Sequence, residues 1–210
     1  MQPKEHWEHI YATKSPGDVS WFQEHAELSL RLIRDTRVPL TAAIIDVGGG
    51  ASTLVDDLLQ SGYSQLTVLD VAASALAAAQ RRLGARANAL QWVEANITEA
   101  SLPAHAYDVW HDRAVFHFLT SLHDRHAYVR AVLQAVKPGG HVIVATFAED
   151  GPTRCSGLPV MRFRPDELHA EFGAPFVLLH HEKEAHPTPS GTVQMFVYCY
   201  CRLIADRAIR

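Results

Sequence analysis

Apolar and polar residues fall in alternating blocks along this chain. Short apolar runs bounded by glycine, proline and small polar residues alternate with stretches whose leucines and alanines recur at helical spacing. The first such run, "TAAIIDV" (41–47), predicts a buried strand. The segment 52–62 follows with Leu54, Leu58 and Leu59 on one helical face and Gly62 as its stop. A second strand is expected over 65–71. A helix over 74–84 comes next, with Ser74 as N-cap and Gly84 as terminator. Strands over 90–97 and 106–112 precede a mostly helical stretch, 114–136, with a break near 119–123. "KPGG" (137–140) reads as a turn into a fifth strand, 140–148. Apolar strands alternating with amphipathic helices imply a mostly parallel sheet covered on both faces.

The two ends of the chain break this rhythm. Residues 175–186 and 192–203 read as strands joined by "PTPSG", an antiparallel hairpin for one sheet edge. The long segment 149–174 is irregular until "RPDEL" starts a short helix, and a connection of that length usually serves function. Residues 1–40 read as a helical cap on a main domain of residues 41–210. Its first helix groups Trp7, Ile10 and Tyr11. Its second is expected over 20–34, with Ser20 and Gln23 as a capping box. Two uses fit this cap: a packing layer on the sheet, or a lid whose aromatics Trp7, Tyr11 and Trp21 cover a ligand.

Composition narrows the partners. The chain has 210 residues, 48% hydrophobic and 20% charged, which suits one domain with an appended element. A net charge of −4 gives no basic footprint for nucleic acid. No apolar run approaches the roughly 18 residues of a membrane helix, and "MQPKEHWEHIY" lacks the apolar centre of a signal peptide. Three cysteines, Cys155, Cys199 and Cys201, form no disulfide framework, so a reducing cytoplasm is the expected setting. Neither Cys-x-x-Cys nor another metal spacing occurs. His180 and His181 are expected on opposite faces of a strand, so no metal site is expected. The 13 histidines have no single explanation in the pattern.

The chemistry gathers after the first strand. Gly48, Gly49 and Gly50 join that strand to a helix, where glycine permits a left-handed turn and close approach of a ligand. The helix start beyond them offers free N–H groups. A tight βα turn is the plainer alternative for such glycines. A dinucleotide fingerprint needs a third glycine at position 53, which is Thr53 here. Asp70 ends the second strand about 20 residues on, placed to accept both ribose hydroxyls of an adenosine.

With "IIDVGGGAS", "VLDV", "EANI", "YDVWHDR" and "VKPGG" in this order, the chain resembles the class I S-adenosylmethionine-dependent methyltransferases across residues 41–148. That resemblance implies a Rossmann-like doubly wound α/β fold. It has a mostly parallel seven-stranded sheet with an antiparallel C-terminal hairpin, and S-adenosyl-L-methionine as cofactor. It also implies roles for particular residues. Gly48, Gly49 and Gly50 would face the methionine part, and Asp46 would organise that loop. Asp70 with Val71 would bind the ribose side. Asn96 and Ile97 would bracket adenine, with Asn96 standing where the family carries an acid. Trp21 and His111 complete the expected cofactor pocket.

Methyl transfer is an in-line displacement at a sulfonium, so positioning and water exclusion do most of the work. The segment "WHDRAVFHFLT" (110–120) lies where the family faces the methyl group. Asp112 and His117 are the candidate bases, with His111 beside them. Each has a plainer alternative: Asp112 in an ion pair with Arg113, His117 as a packing residue. Cys155 lies in the loop expected over the acceptor side, as a substrate contact or inert. Two subgroups are similar, the thiopurine-type small-thiol enzymes through "DRA" (112–114) and the lysine methyltransferases of elongation factor 1A and citrate synthase through "VSWFQEHAELSLRLI" and "LVDDLLQSGYSQLTVLDV". The compact build favours a small-molecule acceptor, a thiol first, over a protein lysine. A non-catalytic cofactor-binding protein is the third reading.

Overall fold

A computed structural model of the chain describes residues 4–204. Its main sheet has seven strands in the order β3-β2-β1-β4-β5-β9-β8. The parallel part comprises β1 (Ala43–Val47), β2 (Gln65–Asp70), β3 (Gln91–Glu94), β4 (Tyr107–Arg113) and β5 (Val136–Phe147). β8 (Phe176–Pro187) and β9 (Val193–Leu203) form the antiparallel hairpin, and β9 pairs with β5. This is the doubly wound mixed sheet expected from the pattern.

Alternation along each strand divides the core in two. Ile45, Val47 and Trp110 face one side, against α5 (Leu122–Ala135) and α6 (Pro165–Phe172). Ile44 and Val109 face the other, against α2 (Glu27–Asp35), α3 (Leu54–Gln60) and α4 (Ala73–Leu83). α1 (Lys4–Thr13) lies over the start of α4, and Ile10 is its one buried residue. The remaining strands, β6 (Arg154–Cys155) and β7 (Leu158–Pro159), make a small ribbon in the long loop. Among the described residues, no helix is long and apolar enough to cross a membrane.

Several local expectations are corrected, each because a tertiary partner outweighs local sequence. No helix forms over 20–26, and the Ser20–Gln23 capping box is absent; α2 starts at Glu27. The carbonyls of Ser20, Trp21 and Gln23 instead accept hydrogen bonds from His186, Arg113 and Thr53, which hold the segment in turns. Ser74 does not cap α4; Glu8 of α1 accepts the N–H groups of Ala73 and Ser74. Residues 137–140 are a bulge inside a continuous β5, between the Tyr107–Val136 and Val109–His141 pairs. Gly139 takes φ +81 there. The third strand is shorter than expected. A second bulge lies between Leu178 and His180; beyond it His180 and His181 pair in turn with Tyr200 and Cys199, their rings 6.4 Å apart. Of the stretch 114–121, only Phe116–Phe118 form a 3₁₀ turn, and Ser121 then caps α5.

The loop after β4 is held by a buried hydrogen-bond cluster. Asp112 accepts the N–H groups of Val115 (2.9 Å) and Phe116 (3.2 Å) and the hydroxyl of Tyr128 (2.6 Å). Tyr128 in turn accepts from Trp110 Nε1 at 2.9 Å. The cluster lets Ala114 keep φ +75, a left-handed conformation that a side chain disfavours. Tyr128→Phe strands the indole N–H and leaves Asp112 Oδ2 with the Phe116 N–H as its one remaining donor. Urea unfolding is expected to show a loss of about 1–3 kcal/mol, well above that of a surface tyrosine change.

Candidate functional site

The carboxyl ends of β1, β2 and β4 form a crevice, the usual ligand position in a doubly wound sheet. Gly48 turns the chain there with φ +69, and its N–H donates to Leu69 O at 2.7 Å. A Cβ at Gly48 would stand 1.9 Å from Val115 Cγ2, and one at Gly50 would stand 2.5 Å from Asp70 Oδ2. The glycine loop thus clears space against the end of β2 and the loop after β4 as well as turning.

Two adjoining cavities occupy the crevice. One, of about 670 Å³ with its open mouth, is floored by Gly48, Asp70, Val71 and Ile97 and roofed by Trp7, Tyr11, Trp21 and Phe118. The roof rings meet edge to face: Trp7 lies 5.9 Å from Trp21 and 5.0 Å from Phe118, and Tyr11 lies 6.3 Å from Trp21. The other, of about 550 Å³, is lined by Asp46, Gly49, Thr53, His111 and Ser29. Tyr11, Trp21, Gly48 and Arg113 border both.

Buried charge defines the chemistry. Asp70 Oδ1 accepts the Ala72 N–H at 2.9 Å. Burial first, and the nearby Asp46 carboxylate second among the raising effects, push the Asp70 carboxyl up to about 7. Asp46 Oδ1 accepts from His111 Nδ1 at 2.7 Å, while its Oδ2 is buried with no partner among the described residues. His111 Nε2 meets Ser29 Oγ at 2.8 Å, and Ser29 lies 3.3 Å from the Tyr198 hydroxyl. Arg113 donates to that hydroxyl (3.0 Å) and to Glu184 (3.2 Å), and stacks over Phe196 at 4.2 Å. One polar chain therefore runs from the glycine loop to the edge hairpin.

The structure brings together most of the residues singled out from sequence. Asp46, Gly48, Gly49, Asp70, Val71, Ile97, His111 and Trp21 line the two cavities, and Gly50 abuts Asp70. Besides Gly50, three candidates do not line them. Asn96 turns away: its Oδ1 accepts from the Thr98 N–H and hydroxyl, and its amide donates to Glu99. Asp112 is sealed beneath its loop with three donors, and burial pushes it up to about 7. His117 is fully buried. Its Nδ1 accepts the Phe147 N–H at 3.3 Å, and burial drives its pKa down to about 3. Neither reaches the cavities to serve as a base. The ion pair read for Asp112 and Arg113 is also replaced, since Arg113 pairs with Glu184 on the hairpin. Cys155 lines the larger cavity, and burial pushes its thiol up to about 11, so it sits there as a neutral thiol. Sequence reasoning missed Ser29, Tyr198 and Glu184. Ser29 and Tyr198 sit on apolar faces as ordinary core residues would, and Glu184 lies in a run of alternating charges.

Comparison with known proteins agrees with this geometry. A model described as a methyltransferase domain matches residues 45–142. Over that stretch the chain is similar to class I S-adenosylmethionine-dependent methyltransferases. The ubiquinone biosynthesis O-methyltransferase of Cronobacter sakazakii is 34% identical over 104 residues, 49% of this chain and 41% of that protein. EEF1A lysine methyltransferase 2 of Mus musculus is 25% identical over 81 residues, 35% of this chain and 33% of that protein. The chain thus spans under half the length of both relatives. A solved structure described as "Conversion of a Disulfide Bond into a Thioacetal Group during Echinomycin Biosynthesis" shares the fold. It has a TM-score of 0.77 at 16% identity, covering 98% of this chain and 94% of that one.

S-adenosylmethionine is the family's cofactor, and the residues present fit it. The unpartnered Asp46 Oδ2 suits an ammonium group, the glycine cradle leaves room for a thioether chain, and Asp70 lines the larger cavity.

The Asp70 carboxyl, raised above its unfolded value, holds its proton more tightly in the folded protein than in the unfolded chain. Stability therefore falls as pH rises from about 4 to about 7 through this group. His117, depressed on folding, acts oppositely: stability is lost as pH falls from about 6.5 toward 3. Comparing Asp70→Asn with the parent isolates the first effect. Denaturation at pH 5 and pH 8 is expected to show the variant gaining stability relative to the parent as pH rises. A constant difference contradicts the assignment.

Proposed function

We propose that the protein transfers a methyl group from S-adenosylmethionine to a small nucleophilic acceptor, a thiol in preference to a protein lysine. The observation that carries this reading is the aromatic roof: Trp7, Tyr11, Trp21 and Phe118 meet edge to face along the cavity, which favours a small acceptor over an extended polypeptide.

In this reading Asp70 accepts the ribose hydroxyls, Val71 and Ile97 flank adenine, and Asp46 Oδ2 takes the methionine ammonium while His111 fixes the carboxylate. Gly48, Gly49 and Gly50 permit the close approach. When bound, the cofactor supplies a methyl group on a positively charged sulfur. The chain supplies position, aromatic faces that favour cationic charge, and exclusion of water. The titratable residues lining the larger cavity are Tyr11, Asp70, Arg113 and Cys155. Burial raises Tyr11 above its usual range and holds Cys155 neutral, and the Arg113 guanidinium is a donor with no acceptor. With Asp70 on the ribose, no base is left for an aliphatic alcohol. A thiol of ordinary pKa near 8.5 is already a few per cent thiolate at neutral pH, and the Arg113 charge favours that form. A lysine amine is the second reading, supported by the similarity to the elongation-factor lysine methyltransferase.

A labelled-methyl assay against small thiols, phenols, amines and cell-extract protein separates these. Turnover of small thiols is expected, and Trp7→Ala is expected to lower it by about tenfold or more through lost positioning. Methylation of extract protein alone favours lysine. Binding of S-adenosylmethionine with no acceptor turned over favours a non-catalytic role.

A further inference from the structure

The first N–H groups of α4 are satisfied from two different parts of the chain. Ala72 donates to Asp70 Oδ1 at 2.9 Å, Ala73 to Glu8 Oε1 at 2.7 Å and Ser74 to Glu8 Oε2 at 3.1 Å. Glu8 lies on α1, the helix that carries Trp7 and Tyr11 into the chamber roof. Thus one turn, residues 70–74, presents a carboxylate to the cavity and backbone donors to the roof helix. The site is favourable for Glu8: the N-terminus of a helix carries partial positive charge and unpaired N–H groups. Those contacts also hold the Glu8 carboxyl below its usual range, the Ser74 side chain being the first cause.

Apart from Glu8, α1 is docked by its own roof rings, Trp7 against Trp21 and Phe118 and Tyr11 against Trp21. Ile10 is its one buried residue. Its other charged anchor is Lys4, paired with Glu94 at the end of β3, next to Asp70 in the sheet register. Both anchors lie on the β2–β3 side of the crevice, whereas the rings they support cover the far side near Phe118.

We propose that Glu8 is a positioning residue that couples occupancy of the Asp70 site to closure of the acceptor chamber. This rests on the cofactor reading above. A ligand seated on Asp70 steadies the 70–74 turn. The steadied turn offers the Ala73 and Ser74 N–H groups to Glu8, and Glu8 brings Trp7 and Tyr11 into the roof. The acceptor chamber is then complete only after the cofactor side is filled, which orders binding as cofactor first, acceptor second.

The probe is S-adenosylhomocysteine, followed by hydrogen exchange over residues 4–14 and by its dissociation rate in stopped flow. In the parent protein the probe is expected to slow exchange of that segment. Glu8→Gln is expected to abolish that protection and speed dissociation by roughly 3- to 30-fold, the range of a lost helix cap. Exchange of β1 and β4 stays as in the parent, which shows that the fold is intact. Lys4→Glu is expected to weaken protection, and Lys4→Glu with Glu94→Lys to restore it. Parent-like dissociation and protection in Glu8→Gln overturn the coupling. Failure of the parent protein to bind the probe overturns the cofactor reading itself.

Discussion

Three carboxylates buried at the ends of adjacent strands set the terms for the rest of this structure. Asp46, Asp70 and Asp112 are 4%, 6% and 0% exposed, and an unpaired charge in such a place is costly. The protein resolves them differently. Asp112 is saturated by Tyr128 and two backbone N–H groups, and its work is to shape the loop after β4. Asp46 is half satisfied, by His111. Asp70 accepts the Ala72 N–H and lines the larger cavity. The two partly satisfied acids line the two adjoining cavities, so each keeps acceptor capacity for a ligand's donors. A ligand with ribose hydroxyls and an ammonium supplies both.

The same economy explains the glycines. At Gly48 and Gly50 a side chain would collide with Val115 and with Asp70. The loop is therefore fitted to what lies across the crevice from it, and the sequence needs glycine for space as well as for backbone conformation. Above the crevice the logic changes from burial to docking. The segment 20–26 has no regular structure of its own. It is fixed by donors from His186, Arg113 and Thr53, which brings Trp21 to the boundary of both cavities.

The contrast between what the pattern revealed and what it concealed follows from range. The β1–β5 alternation, the hairpin and the strand-end residues Asp46 and Asp70 were legible because period and position are local signals. Contacts between distant segments were not. Ser20 and Gln23 spell a capping box, yet the carbonyls around them are claimed by residues more than 25 positions away. Ser74 is a good cap by type, and Glu8 takes that place. Asn96 stands at the right register for adenine but spends its oxygen on Thr98 two residues on. His117 and Asp112 looked catalytic because titratable residues near a strand end often are. Their full burial, with Phe147 and Tyr128 as partners, makes them supports of the site.

The central claim is that this crevice is built for an adenosine carrying an ammonium and not for a dinucleotide. Calorimetric titration of the protein with S-adenosylhomocysteine and, separately, with NAD tests it most directly. The account predicts micromolar-range binding of the first, a loss of about 1.5–3 kcal/mol in Asp70→Ala, and no measurable heat with NAD. Tight binding of NAD, or unchanged affinity for S-adenosylhomocysteine in Asp70→Ala, contradicts it.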